Sequence, residues 1–201
     1  MLFEVNRTNR DMSGQGMNKI RSEKCEANGS AVTMDKLQAI LEKHEAWIGS
    51  GWEMGKRADL HGKDLHNSNL EGALLAEADL HRADLHCADL HQAELDGADL
   101  HGADLHRANL HEAVLEWADL HRADLHGADL HRAILREADL HEADLHGADL
   151  KEADLEHADL RGADLTRVKG LTQAQLDAAH GDASTRLPSG LVVAESGGKD
   201  S

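Results

Sequence analysis

Ala98-Asp99-Leu100-His101-Gly102, followed at once by Ala103-Asp104-Leu105-His106-Arg107, shows the unit whose repetition decides the fold. Twenty-two such five-residue units run from Ala58 to Arg167 without a slip of register, each with leucine at its centre, from Leu60 and Leu65 to Leu165. A period of five fits neither common element. A helix turns about 100° per residue, so leucines five apart drift around it and form no single stripe. In a strand, successive leucines would alternate faces. A coiled coil needs a heptad. The geometry that turns every leucine inward is a coil with a corner at every fifth residue. Four units then close one turn, and short strands of successive turns pair in parallel about 4.8 Å apart. Each unit gives one leucine, and usually one alanine, to a shared interior. The chain therefore reads as an all-β solenoid.

The tandem Ala-(Asp/Asn)-Leu-x-x run resembles the pentapeptide-repeat family. The resemblance covers residues 58–167 and implies a right-handed, four-sided parallel β-helix, here of about 5.5 coils. Departures from the pattern are Lys63, Ser68 and Val168 in the alanine column, and Leu74, Glu94, Val114 and Ile134 in the Asp/Asn column. The family often carries phenylalanine at the centre; this chain uses leucine alone, which predicts an interior without stacked aromatic rings.

Aromatic residues make up only 2% of the chain, with no tyrosine, one phenylalanine and three tryptophans. That is sparse for a globular core of 201 residues and sufficient for a solenoid filled with leucine and alanine. Charge is unevenly placed. The repeat holds 26 acidic and 9 basic side chains, and the flanks hold 12 of each, so the whole formal net charge of −17 lies on the repeat. A surface of that sign argues against direct binding to nucleic acid or an anionic membrane. It favours a basic protein surface, or simply solubility. Cys25 and Cys87 show neither metal-ligand spacing nor a disulfide framework. Met1 to Arg10 lacks a long apolar core, and no apolar run approaches the roughly 20 residues of a membrane span. The expectation is a cytoplasmic protein with reduced thiols.

Outside the repeat, residues 1–30 are polar and mixed in charge, which predicts a disordered tail. Within 31–57, Thr33 can cap a helix running through about Ile48. Leu37, Ile40, Leu41, His44, Trp47 and Ile48 share one face of it, and Gly49 and Gly51 end it. Its job would be to cover the open end of the leucine column. In 168–188, Leu171 breaks the five-residue register. Thr172-Gln173-Ala174-Gln175 offers a capping box for a short helix through about Ala179, with Leu176 aimed at the last coil and 181–188 as a loop. Residues 189–201 read as a flexible tail. A short α-helical cap at each end is thus expected.

Stacking the coils sorts the outward residues into ladders. After each leucine, the first face shows His61, His81, His101, His121, His141 and Arg161, and the second His66, His86, His106, His126, His146 and Thr166. The third shows Glu71, His91, His111, His131 and Lys151, and the fourth Ala76, Asp96, Glu116, Arg136 and Glu156. Thirteen of the 16 histidines fall in this column, on three faces of four. The bland reading is a repeated polar filler whose rings stack. A second reading is metal binding, with rings about 4.8 Å apart giving two nitrogens and a neighbouring Asp to Zn²⁺ or Ni²⁺; it would be weak and multiple, with no dedicated cofactor. The candidate ligands are the five histidines on each of the first two faces. A third is a pH-responsive surface, since charging all 16 histidines would move the formal net from −17 to about −1.

The fourth face differs. Leu74, Val114 and Ile134 replace Asp in its outward column, with Trp117 beside them. Such an apolar patch marks a contact site for a partner or for a second copy in a homodimer, or else a place where a terminal segment folds back. Asp and His lie everywhere, so no pair of them stands out as catalytic, and a filled rod offers no pocket. The leading expectation is a non-enzymatic, rigid acidic rod that binds another protein of unknown identity. The resemblance supplies a runner-up: some members of the family resemble B-form DNA and occupy the DNA site of type II topoisomerases. At about 4.8 Å per coil the rod is near 26 Å long, and DNA carries roughly 15 charges over that length, close to the 17 here. Helical caps at both ends count against the end-to-end dimers of the known mimics.

Overall fold

The computed structural model describes residues 32–193. The tail expected over residues 1–30 lies outside the described residues, as does the 194–201 part of the flexible tail expected over 189–201; within 189–193, Leu191 packs against the core and the Val192 N–H donates to the Gln173 side chain at 3.2 Å. From Asp59 to Lys169 the backbone pairs in parallel with a step of 20 residues, Asp59 with Asp79, Asp64 with Asp84, Asn69 with Asp89, Leu74 with Glu94, and onward. Four units therefore make one coil. Each side of the coil contributes a single bridged residue rather than a strand, because a corner follows every leucine.

The hydrogen bonds explain why five residues suffice. In the unit Ala98–Gly102, the Leu100 N–H donates to the Asp119 carbonyl at 2.7 Å and the Gly102 N–H to the His121 carbonyl at 2.9 Å, both on the next coil. The Asp99 N–H donates to the Ala78 carbonyl of the preceding coil, and the Ala103 N–H closes the corner on the Leu100 carbonyl, each at 2.9 Å. The His101 N–H turns back to the Asp99 carboxylate at 3.1 Å. All five donor positions of the repeat are satisfied, as burial of a backbone demands. The corner requires a left-handed φ at the fifth residue of every unit, between +54° and +72° in all 22.

Every central leucine from Leu60 to Leu165 and nearly the whole alanine column are buried in one continuous core. The N-terminal helix α1 spans Met34–Gly49. It buries Leu37 and His44 and packs Ile40 and Leu41 against the core. Thr33 stands at its N-cap, yet its side chain makes no capping bond; its carbonyl accepts from the Lys36 and Leu37 N–H groups instead.

The C-terminal helix α2 spans Gln173–Ala178, opened by a reciprocal capping box between Thr172 and Gln175. The Gln175 amide also donates to the Leu150 and Ala153 carbonyls at 2.9 Å, and Leu176 enters the core. At Gly170, φ is +71° and an added Cβ would strike the Lys151 backbone. The stretch 181–188, expected as a loop, partly continues the coil: Arg186 within it bridges Asp164, and His180 just before it bridges Asp159. The register there is 21 and 22 rather than 20, since α2 and the turn at Asp182 take up the extra residues. Asp182 accepts from the Ser184 hydroxyl and N–H and from the Thr185 and Gly162 N–H groups. These bonds, the Ser184 hydroxyl foremost, hold its carboxyl at about 2. Cys87 is disulfide-bonded, so the expectation of reduced thiols does not hold for it.

Candidate functional site

The Asp/Asn column belongs first to the fold. From Asp64 to Asp164, carboxylates or amides in this column accept the N–H two residues on, as in Asp79 to His81, Asp119 to His121 and Asp144 to His146, at 3.2, 3.0 and 2.8 Å. Asn does the same at Asn69 and Asn109. This is an Asx turn. The sequence signal for it was present, since Asp and Asn are the residues that bond their own backbone two places on. One oxygen of each carboxylate is thereby committed. Asp119→Asn is expected to leave thermal stability within about 0.5 kcal/mol, while Asp119→Ala should cost about 0.5–1.5 kcal/mol; paired thermal melts check this, and equal melting of the two variants would refute the turn assignment.

The histidine ladders are stacks. On the first face, His81, His101, His121 and His141 stack at ring-centroid distances of 4.9–5.1 Å, with His61 tilted by 41° over His81, and on the third, His91, His111 and His131 stack at 5.0 Å. On the second, His106, His126 and His146 stack at 5.0 Å, and His86 meets His106 edge-on at 81°. Lone pairs of stacked imidazoles lie in parallel ring planes. They do not converge on one ion at the 2.0–2.1 Å that zinc requires. The expected two-histidine sites would need the rings to rotate out of their stacks. Among the described residues, one set of possible ligands converges: Asp64, His66 and Asp84, with ligand atoms within 4.8 Å of one another. Within it the His66 ring bonds the Asp64 carboxylate, and Asp84 accepts the His86 N–H. Burial lowers the pKa of His106, with the neighbouring His126, Arg107 and His86 acting in the same direction and Asp124 opposing.

Corners carry ion pairs between coils, which the sequence reading missed although a spacing of 20 would have found them. Arg132 lies between Glu112 at 3.5 Å and Glu152 at 2.8 Å, and Gln92 donates to Glu112 at 2.8 Å. Arg122 holds Glu142 at 2.6 Å. Gln92 draws the Glu112 carboxyl below its usual range, and Arg122 and Arg132 do so for Glu142 and Glu152.

The fourth face breaks the pattern. Leu74, Val114 and Ile134 are bridged in register with Glu94 and Asp154 and are half-buried, while Trp117 is 60% exposed at the adjoining corner. The Trp117 N–H donates to the Arg136 carbonyl at 3.0 Å, which ties it to the coil carrying Ile134. Aliphatic side chains offer no acceptor to the corner N–H, so these positions forgo the Asx turn.

A family model described as pentapeptide repeats matches residues 64–102, 98–136 and 135–167, eight copies in all. No curated protein matches the chain. Among solved structures it is similar to HetL, a pentapeptide repeat protein involved in heterocyst differentiation regulation in the cyanobacterium Nostoc sp. strain PCC 7120. Identity is 38% over 56% of this chain and 52% of that one, with a TM-score of 0.42. Rfr23 of the cyanobacterium Cyanothece 51142 is 37% identical over 47% of this chain and 63% of its own, with a TM-score of 0.42. A pentapeptide repeat protein of the Arabidopsis thaliana thylakoid lumen is 31% identical over 63% and 80%, with a TM-score of 0.32. The chain thus spans between half and two thirds of the length of the first two. No described helix is long and apolar enough to cross a membrane.

Proposed function

This chain belongs to the pentapeptide repeat family, and on that premise we propose that it is a non-enzymatic interaction module: a right-handed, helix-capped, acidic rod that binds another protein. One observation carries the reading. The leucines and alanines fill the interior from Leu60 to Leu165, and the Asp column is committed to the turns. What is left for function is a stiff surface of fixed spacing with a formal charge of −17. Rigidity lowers the entropy cost of docking, and a single-sign field steers a basic partner toward it. First-row metal binding at Asp64, His66 and Asp84, and a response of the histidine stacks to pH, are secondary readings of the same exterior.

The test is affinity capture in both directions at physiological salt, with and without chelator, followed by reconstitution from purified components. The expected result is one protein partner bound stoichiometrically, insensitive to chelator, with gyrase supercoiling unchanged. Capture of a type II topoisomerase subunit together with inhibited supercoiling would replace this reading by DNA mimicry, which the charge match supports. Binding that vanishes with chelator would favour the metal reading, and capture of nothing in either direction would overturn the module itself.

A further inference from the structure

The fourth face departs from the rule that the other three obey. There, Asp or Asn side chains close the corner N–H at 2.8–3.4 Å, coil after coil. At Leu74, Val114 and Ile134 that bond is given up, because an aliphatic side chain has no acceptor to offer. The side chains gain no burial in the core in return, because leucine and alanine already fill it and these three point outward, half-exposed. A local rule broken without a structural gain marks a position kept for something else. The same face also carries no histidine in the column after leucine, and it adjoins exposed Trp117.

Charge decides what covers the strip. Glu94, Asp96, Glu116, Asp154 and Glu156 share the outward columns of this face with Val114 and Ile134, against one cation in those columns, Arg136; Arg132, at the adjoining corner, is paired with Glu112 and Glu152. Arg136 is itself paired, to Asp154 at 2.5 Å and to Glu156 at 3.8 Å. A second copy would bring the same excess of carboxylates to the contact, and like charges directly opposed are costly. A cationic segment would find Glu94, Asp96 and Glu116 outside the Arg136 ion pairs, and an aromatic–aliphatic centre to anchor on.

We propose that the fourth face is the docking strip of the rod, and that its occupant is a basic amphipathic segment of another protein. Its apolar residues lie over Val114, Ile134 and Trp117, and its cationic residues over Glu94, Asp96 and Glu116. This rests on the interaction-module reading and specifies where and with what chemistry it operates.

The test uses the full chain labelled at isoleucine and valine methyls. With only four isoleucines and six valines in the sequence, Ile134 and Val114 give resolvable signals. The probes are synthetic 12-residue peptides alternating Arg with Leu, Arg with Ser, and Glu with Leu. The Arg–Leu peptide is expected to shift the Ile134 and Val114 methyls and the Trp117 emission. The Arg–Ser and Glu–Leu peptides are expected to leave them in place. The double variant Val114→Asn/Ile134→Asn restores a turn acceptor of the kind seen at Asn69 and Asn109, so it should melt no lower than the parent while binding the Arg–Leu peptide at least tenfold more weakly. Equal binding by the double variant, or no binding by the parent, would overturn the proposal. So would methyl shifts that follow the protein's own concentration, which would make the occupant a second copy. A protein partner bound equally by parent and double variant would overturn the strip alone, whereas loss of any protein partner would remove the module reading with it.

Discussion

Truncation of Leu110 to alanine should cost about 2–5 kcal/mol, toward the upper end of that range. Leu110 is fully buried in the third coil, with Leu90 and Leu130 one coil to either side. The cavity has little means of collapsing. The Leu90 N–H is tied to the Asn109 carbonyl and the Leu110 N–H to the Asp129 carbonyl, each at 2.7 Å, so the coils cannot close on the gap without breaking their ladders. Each coil touches only its neighbours, which makes the loss local in position and general in consequence: one weak layer uncouples the two halves of the rod. Urea unfolding followed with hydrogen exchange is the measurement. Faster exchange should centre on residues 98–117 and the coils flanking them, and Leu165→Ala, at the end of the repeat, should cost less. A cost below about 1 kcal/mol, or exchange accelerated evenly along the rod, would contradict a core built of rigidly spaced layers.

The leucine column was legible because period and residue type agree: one leucine every five residues admits one inward-facing geometry. The four-sided step of 20 followed from it and appears as the bridge from Asp59 to Asp79. The task of the Asp column was harder to read. An aspartate announces an acceptor, but which N–H it meets depends on the corner, and the corner depends on a left-handed fifth residue. Glycine is the usual marker of such a φ, yet 15 of the 22 fifth positions carry another residue, Arg82, Glu137 and Trp117 among them. The marker was therefore missing where the turn was made, and the column looked like a plain acidic surface. The pairing of His180 with Asp159 and of Arg186 with Asp164 was hidden for a different reason. Once α2 intervenes, the spacing is no longer 20, and periodicity has nothing to say. At Thr33 the residue type suited a cap, but its hydroxyl makes no capping bond and the Lys36 N–H turns to its carbonyl instead. The fourth face was the easiest of the surface features to see, because Leu74, Val114 and Ile134 stand out against an otherwise regular column.

His44 should make the N-terminal closure both fragile and pH-dependent. Its ring is fully buried between α1 and the first coil, and its Nδ1 accepts the Ala58 N–H at 3.0 Å. The proton of the neutral ring therefore sits on Nε2, which faces the Ala76 carbonyl without a well-formed hydrogen bond. Trp47 stacks on the ring at 5.6 Å and packs in turn against Trp52, so this one imidazole links the helix, the lead-in and the coil. Replacing it with alanine orphans the Ala58 N–H, worth about 1–3 kcal/mol, and opens a cavity beneath α1. Burial, the largest influence, lowers the pKa of His44 below 6.5, and Arg57 acts in the same direction. Above 6.5 the ring is neutral in folded and unfolded chains alike, and the closure has its full strength. As pH falls below 6.5 the unfolded chain takes up the proton first, so stability declines until the folded ring protonates as well. A protonated Nδ1 can no longer accept from Ala58, which ties the titration to this contact. Exchange of the Ala58 amide, compared between parent and His44→Ala at pH 7.5 and 5.5, isolates the effect from that of the surface histidines. The difference between the two proteins should be large at pH 7.5 and smaller at 5.5. A difference that does not change with pH would show that the buried ring closes the rod by packing alone.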